Sequence, residues 1–346
     1  MERIWIRVKP RMRDIAAMVK VSPATVSNAL NGRGGVSKEV QAQIISIARE
    51  MGYQPNRETK KPDQHVRLIL YKSHGQVIAD TTFFSELIEA IQMECKQEGA
   101  ELLINHIHAK EDADYAEQIE AFANEECAGI ILLATEMNKD ELQQFKRFHS
   151  PLIVLDNSFR FENVHAVVMN NVEAGYLAAN VLYEAGHRQL EHITSSVVFS
   201  NTVERMRGFR EGLALHGLRL TEEQVWPVRP SISGAYEDMK ALIQQRQRMP
   251  EAFFAANDLM AIGCMRAITE AGYRVPEDVS ILGMDDTSVC LACTPQLSTI
   301  RVCRKELGVA VVRTLLSLVE RDMPCTIKTE IGVDVVMRDS VRIKKQ

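Results

Sequence analysis

The stretch MRDIAAMVKVSPATVSNALNGRG, residues 12–34, predicts two short helices joined by a tight turn. Apolar residues at helical spacing indicate a first helix over Arg13–Lys20. Ser22 is a good N-cap for a second helix, and the proline after it suits the first helical position, where its missing N–H costs nothing. The second helix is predicted to run to Leu30, before the helix-ending pair Asn31–Gly32. Two helices in this arrangement are typical of a helix-turn-helix unit.

A third helix is predicted after Ser37, where apolar residues recur at helical spacing as far as Gly52. The polar segment that follows contains two prolines and several basic side chains, which is typical of a linker. We therefore place a helix-turn-helix head at residues 11–56, a hinge at residues 57–65 and a core at residues 66–346.

Charge is unevenly distributed along the 346 residues. Residues 1–62 hold 12 Lys and Arg against 5 Asp and Glu, a balance of +7. The remaining 284 residues hold 29 against 41, a balance of −12. A small basic head on an acidic body indicates a polyanionic partner for the head, and the alternative is a solvated basic surface.

Composition indicates a cytoplasmic protein in a reducing compartment. The seven cysteines show no spacing typical of a disulfide scaffold. The longest strongly apolar run, AGIILLA at residues 128–134, is far too short to span a bilayer. The first ten residues have charges interleaved with apolar residues, which does not resemble a signal peptide.

The core alternates short apolar runs with amphipathic helical patterns, which predicts an α/β fold with doubly wound parallel sheets. About 280 residues of this pattern exceed one usual core, so we expect two lobes. Predicted strands lie at residues 66–71, 101–106, 129–133, 152–155, 165–169, 190–194, 252–255, 279–282 and 298–302. Predicted helices include residues 84–97, 172–185, 204–216, 235–245 and 259–271.

Two segments carry motifs in a fixed order, one at residues 12–56 and one at residues 254–286, which reads FAANDLMAIGCMRAITEAGYRVPEDVSILGMDD. Together they resemble the lac repressor (LacI/GalR) family of bacterial transcription regulators. The resemblance implies a helix-turn-helix head, a hinge, and a core like a periplasmic sugar-binding protein with the effector between two lobes. It also implies a dimer that binds a near-palindromic double-stranded DNA operator. The matching head positions are Asp14, Ala16, Val21, Ser22, Thr25, Val26, Ser27, Leu30, Asn31, Val36, Ser37, Tyr53, Pro55 and Asn56.

Under this resemblance the second helix of the head enters the major groove, where close approach favours small side chains. Asn28 could pair bidentately with adenine, and Ala24 could contact a thymine methyl group. For Thr25 and Ser27 the alternative is local capping within a small helix. The predicted DNA-binding residues are Ser22, Pro23, Ala24, Thr25, Ser27, Asn28, Asn31, Tyr53, Asn56 and Arg57.

The head departs from the family pattern at two places. Val19 and Lys20 stand where the turn usually holds Ala-Gly. A left-handed Lys20 would cost about 1–2 kcal/mol, and the alternative is that the turn relaxes to another geometry. The family hinge folds on DNA as a helix that inserts a leucine into the minor groove, whereas residues 57–64, RETKKPDQ, contain no apolar wedge. Because an inserted apolar side chain is what kinks the DNA in such complexes, we expect the kink to be weak or absent here.

In the core, the resemblance implies effector-binding residues at the carboxyl ends of strands, where ligands bind in open α/β sheets. Carboxylates, an amide, an arginine and aromatic rings suit a small polar ligand such as a sugar. Asn257 could instead be only a helix N-cap, Asp285 only a turn residue, and the phenylalanines only core. Pro230 stands where the family often has an aromatic, so the effector of a familiar member is not assumed. The predicted effector-binding residues are His74, Phe83, Phe84, Asp156, Arg205, Asn257 and Asp285.

The predicted function is a DNA-binding repressor that responds to a carbohydrate-like effector. The last residues, VVMRDSVRIKKQ, lack the leucine-heptad tail of the family's tetramers, so a homodimer is expected. We expect no metal or cofactor, because the His106-x-His108 and Cys290-x-x-Cys293 pairs lack further ligands. We expect no catalytic residue, because the predicted cleft offers no activated nucleophile and no matched acid–base pair. The alternatives are a solute-binding protein of a transport system and an enzyme on the same scaffold.

Overall fold

The computed structural model describes residues 12–22, 25–26, 29, 38–50, 65–78, 82–246, 248–320 and 324–344. It divides the chain into one compact unit at residues 1–62 and another at residues 63–346. The division falls within the predicted hinge.

The head contains α1 (Met12–Val19) and α2 (Lys38–Glu50), which agree with the predicted first and third helices. Thr25, Val26 and Ala29, all within the predicted second helix, are also helical. Ile15, Val26 and Ile44 are completely buried against one another in a small apolar core. This core needs all three predicted helices, because each contributes apolar residues to it.

Of the two possibilities for this turn, the structure has the left-handed one, with φ of +59° at Lys20. We predict that Lys20→Gly stabilises the head by about 1 kcal/mol, since glycine adopts this conformation without the Cβ clash. Hydrogen exchange of the α1 amides in the full-length protein should slow about five- to tenfold. Lys20→Ala retains the Cβ and should leave exchange unchanged; equal slowing by both variants would contradict this explanation.

The first lobe of the core is a six-stranded sheet in the order β11-β5-β4-β3-β1-β2, with every pair parallel. Its strands are β1 (His65–Lys72), β2 (Glu101–His108), β3 (Gly129–Leu133), β4 (Leu152–Leu155), β5 (His165–Met169) and β11 (Lys328–Ile331). Its helices are α3 (Thr82–Gln97), α4 (Tyr115–Asn124), α5 (Lys139–Leu142) and α11 (Arg304–Glu320).

The second lobe is a six-stranded sheet in the order β12-β10-β9-β8-β6-β7, in which only the β10–β12 pair is antiparallel within the described residues. Its strands are β6 (Leu190–Ser195), β7 (Val225–Val228), β8 (Ala252–Ala255), β9 (Ser280–Asp285), β10 (Ser298–Val302) and β12 (Val333–Val336). Its helices are α6 (Asn171–Glu184), α7 (Ser200–Leu215), α8 (Ile232–Gln245), α9 (Asp258–Glu270) and α10 (Val289–Ala292). The predicted α/β class with two doubly wound sheets is confirmed.

The chain passes between the lobes three times: after β5, after β10 and after β11. The second passage returns the chain to the first lobe as α11, which packs against α3. Since the carboxyl ends of β4 and β5 in one lobe and of β8 and β9 in the other lie beside these passages, residues there can meet in one cleft.

Two glycines allow α6 and α7 to pack backbone against backbone. A Cβ added at Gly175 would lie 1.9 Å from the carbonyl oxygen of Arg205, and one added at Gly208 would lie 1.9 Å from that of Val172. Such contacts are impossible for any other residue, so this pair of helices is held at close range. The packing fixes the position of Arg205 on α7.

All seven thiols are free: four are buried, two are partly buried and one is exposed. In the described part of the chain, no helix has both the length and the apolar character needed to cross a bilayer.

His192 on β6 should make stability depend on pH. Its ring is buried and stacks on Phe254, with 5.1 Å between centroids, and its Nδ1–H donates a hydrogen bond of 2.9 Å to the Phe254 carbonyl. Burial lowers its pKa to about 4, so between pH 6.5 and 4 the unfolded chain binds a proton that the folded chain does not. The free energy of unfolding should therefore fall by up to about 3 kcal/mol as pH drops through this window.

The variant His192→Phe cannot take up this proton, so its stability should decline less steeply between pH 7.5 and 5. Urea unfolding at the two pH values measures the difference. A slope equal to that of the unmodified protein would contradict the assignment to His192.

Candidate functional site

One cavity between the two lobes brings together six of the seven residues predicted to bind the effector. They come from five separate segments of the chain, and they are Phe83, Phe84, Asp156, Arg205, Asn257 and Asp285. Sequence reasoning missed other members of the lining, including Thr135, Asn201, Asp258 and Thr287. Pro230 also lines the cavity, at the position where the family often has an aromatic.

The first turn of α3 supplies an aromatic wall. Phe83 and Phe84 meet edge to face, with ring centroids 5.1 Å apart and an interplanar angle of 86°. Both rings are buried within the first lobe and also face the cavity. The two interpretations from the sequence, core and ligand platform, are therefore compatible for this pair.

Asp156 follows β4 in a left-handed conformation, with φ of +65°. It accepts a hydrogen bond of 2.6 Å from the Thr135 hydroxyl and one of 3.0 Å from the Asn201 amide. Because Asn201 lies on α7, the second bond joins the two lobes. Burial raises the pKa of Asp156, although these donors and Arg205 favour its charged form.

Arg205 is almost completely buried and is held on several sides. Its Nε donates to the Asn171 side chain at 2.8 Å, and its two terminal nitrogens donate to the Ala256 carbonyl and, at 3.1 Å, to the Met169 sulfur. Its guanidinium lies 3.7 Å from an Asp285 carboxylate oxygen. Fixed bonds on one side leave the guanidinium oriented toward the cavity.

Asn257 is the N-cap of α9, where its side-chain oxygen accepts the Met260 N–H at 2.8 Å. The capping role weighed from the sequence is therefore present, and the residue also lines the cavity. Beside it, Asp258 is buried and accepts bonds from the Thr299 hydroxyl at 2.6 Å and from the Thr287 N–H at 2.9 Å. Thr287 and Thr299 lie 29 and 41 residues from Asp258 in the sequence, so no local sequence pattern indicates these contacts.

Asp285 ends β9 with φ of +115°, a backbone conformation rare for a residue with a side chain. Among the described contacts of its carboxylate is the ion pair with Arg205. Burial is the main cause that raises its pKa, with smaller contributions from Asp258 and Asp156, while Arg205 and Arg304 act in the opposite direction. A carboxyl group in such surroundings gains from a ligand that donates hydrogen bonds to it.

The cavity lining does not include His74, which was predicted to face the cleft. Its ring nitrogen Nδ1 instead lies 3.3 Å from the Glu136 carboxylate. Glu136 also accepts four backbone N–H bonds of 2.8–3.0 Å, from His74, Gly75, Val77 and Ile78. The loop is therefore wrapped around a buried carboxylate, and Val77 is its residue in the cavity wall.

In the head, the described part of the predicted DNA-binding set is Ser22 and Thr25. The Ser22 hydroxyl accepts the Thr25 N–H at 3.0 Å, as an N-cap does, and lies 2.8 Å from the Thr25 hydroxyl. Both side chains are accessible, and local capping is present. Pro23, Ala24, Ser27, Asn28, Asn31, Tyr53, Asn56 and Arg57 lie outside the described residues, as does the hinge segment 57–64.

Residues 11–56 match the family described as bacterial regulatory proteins of the lacI family, and residues 179–341 match a periplasmic binding protein-like domain. A transcriptional repressor, PurR of Mannheimia succiniciproducens, is 27% identical over 335 residues, which are 96% of this chain and 98% of the relative. The lac repressor dimer bound to operator and an anti-inducer has a TM-score of 0.71 and 22% identity, covering 97% of this chain and 100% of that one. A LacI family regulator from Enterococcus faecium with bound ribose has a TM-score of 0.66 and 25% identity, covering 81% and 100%.

Proposed function

Because the chain belongs to the LacI family of bacterial transcription regulators, we propose that it is a repressor whose hold on operator DNA is set by a small polar effector, a sugar or sugar derivative, bound between its lobes. The observation that carries this proposal is the convergence of six predicted residues on one interlobe cavity. The family consists of regulators and not of enzymes. Its members act on chromosomal DNA, in keeping with the expected cytoplasmic location.

The chemistry of the cavity supports a ligand rich in hydroxyl groups. Asp156 and Asp285 offer acceptors, and Arg205 offers donors. The rings of Phe83 and Phe84 provide an apolar wall against which a sugar ring can stack. The Enterococcus faecium regulator with bound ribose supports a carbohydrate as the effector class. Pro230 stands in the cavity wall where the family often has an aromatic residue, which favours an effector different from those of familiar members.

Effector control follows from differential affinity. The cavity is formed by both lobes, so a ligand in it stabilises one arrangement of the lobes over others. If that arrangement also changes the spacing of two heads in a homodimer, the affinity for a near-palindromic operator changes by the same factor as the affinity for the effector. The size of regulation is therefore a coupling free energy, of about 1–3 kcal/mol in typical cases.

A thermal-shift screen of pentoses, hexoses, disaccharides, sugar phosphates and nucleosides identifies the effector class. A compound at about 100 times its dissociation constant adds about 2.7 kcal/mol of stability, which raises Tm by several degrees. The shift should be lost in Arg205→Lys and retained in Arg207→Lys, two positions further along α7. A shift of equal size in both variants, or no shift by any class, would count against an effector in this cavity.

A further inference from the structure

Arg304 is the first residue of α11, directly after the second passage between the lobes. Neither the sequence pattern nor the lining of the cavity singles it out. Its side chain is 14% exposed, which is low for an arginine at the start of a helix. The position places one cation beside both walls of the effector cavity.

The contacts of Arg304 reach both lobes. In the first lobe, its Nε donates to the Glu86 carboxylate on α3 at 2.7 Å, and its guanidinium lies 5.8 Å from the centre of the Phe83 ring. In the second lobe, its terminal nitrogens donate to the backbone carbonyls of Asp285 and, at 3.0 Å, of Asp286. One planar guanidinium therefore joins α3 to the end of β9.

The two carbonyls belong to a backbone segment that needs external support. Asp285 and Asp286 both have positive φ, of +115° and +55°, and such conformations persist only where the surroundings fix them. The Asp286 carboxylate is bound by Arg301 at 2.9 Å and by Arg338. With its backbone held by Arg304, the Asp285 carboxylate is left to face Arg205 and the cavity.

We propose that Arg304 is a positioning residue for the effector cavity: it fixes the distance between α3 and the end of β9, and so aims the Asp285 carboxylate at the ligand. This inference rests on the proposed function in one respect, that the cavity holds the effector. We call the bonds of Arg304 to Glu86 and to the Asp285 and Asp286 carbonyls the clamp. The clamp forms without DNA or effector. Its loss should loosen both walls together.

Hydrogen exchange of the full-length protein, without DNA or added ligand, tests the clamp. In Arg304→Gln, amides at residues 286–288 and in α3 just after Glu86 should exchange at least tenfold faster. Protection at residues 286–288 is measurable because the Thr287 N–H is bonded to Asp258. The matched control is Arg313→Gln, which breaks another ion pair between α11 and α3, to Glu94 at 2.6 Å, far along the helix from β9.

The charge-swapped variant Glu86→Arg with Arg304→Glu separates the two halves of the clamp. It restores a pair between α3 and α11 but offers the Asp285 and Asp286 carbonyls no donor from position 304. Exchange in α3 should return toward normal while exchange at residues 286–288 stays fast. The proposal is overturned if Arg304→Gln matches Arg313→Gln at residues 286–288, or if the swap restores protection there. Failure of the regulator proposal would show as loss of DNA or effector binding, which this assay does not measure.

Discussion

Replacing Glu136 by glutamine is expected to lower the free energy of unfolding of the core by about 3 kcal/mol. The Glu136 side chain has no exposed surface, and its two oxygens accept four backbone N–H groups of the loop at residues 74–78. A glutamine keeps one oxygen and turns an amide NH2 toward N–H groups, so two donors lose their acceptor in a buried place. The loop that carries Val77 into the cavity wall should loosen.

The pKa of Glu136 supports the same conclusion. Burial would raise it, but the four N–H bonds outweigh burial and lower it, so the folded chain favours the carboxylate. This stabilisation is present above the ordinary pKa of about 4.5 and is lost as pH falls further. Equilibrium unfolding in urea at pH 7 measures the change. Asp140→Asn, an exposed carboxylate-to-amide change four residues away, is the control and should alter stability little; equal effects of the two variants would refute the account.

Replacing Asp285 by asparagine is expected to do the opposite and to stabilise the core at pH 8, by about 1–3 kcal/mol. Burial and the neighbouring carboxylates raise the pKa of Asp285, so the folded chain holds a proton at pH values where the unfolded chain has released it. Stability therefore declines as pH rises from about 4 toward the raised pKa. Asparagine has no proton to lose and removes this decline.

The stabilised variant should nevertheless lose the effector. The variant replaces a carboxyl group, which can ionise beside Arg205 when a ligand donates hydrogen bonds to it, by an amide that stays neutral. The affinity for the effector is therefore expected to fall about 100-fold. Urea unfolding at pH 6 and pH 8, with the thermal shift of the compound found in the screen, measures both effects. Asp286→Asn is the control. Arg338 and Arg301 outweigh burial and lower the pKa of Asp286, so this variant should lose stability at pH 8. A loss of stability at pH 8 in Asp285→Asn would contradict the assigned pKa direction.

The parts of the fold that the sequence predicts well are the fully buried strands. β3, β4 and β5 have the bounds that their short apolar runs predicted. β7, β11 and β12 were not predicted. β7 reads VWPV and contains a proline, while β11 reads KTEI and is half exposed. Short edge strands of this kind depend on a neighbouring strand rather than on their own apolar pattern.

The residues of the site also fall into those that local sequence motifs indicate and those that they do not. Asn257 and Arg205 lie in motifs that can be recognised locally, and the cavity contains both. Glu136, Asn201 and Arg304 each bond a partner that lies between 45 and 218 residues away in the chain. Since their roles arise from the packing of two lobes, no spacing within one segment could indicate them. His74 shows the converse case, in which a plausible loop residue turns toward Glu136 instead of the cavity.

Specific DNA binding by the head, under control of the interlobe cavity, can be measured by in vitro selection. The full-length protein selects from a pool of random duplexes, and anisotropy titration at fixed salt then gives the affinities. We expect enrichment of one near-palindromic sequence that binds at least about 1,000-fold more tightly than a scrambled duplex. In Asn28→Ala, the free energy of binding to the selected sequence should weaken by about 1–3 kcal/mol per half-site. Equal affinity for selected and scrambled duplexes, even at low salt, would contradict specific DNA binding by the head.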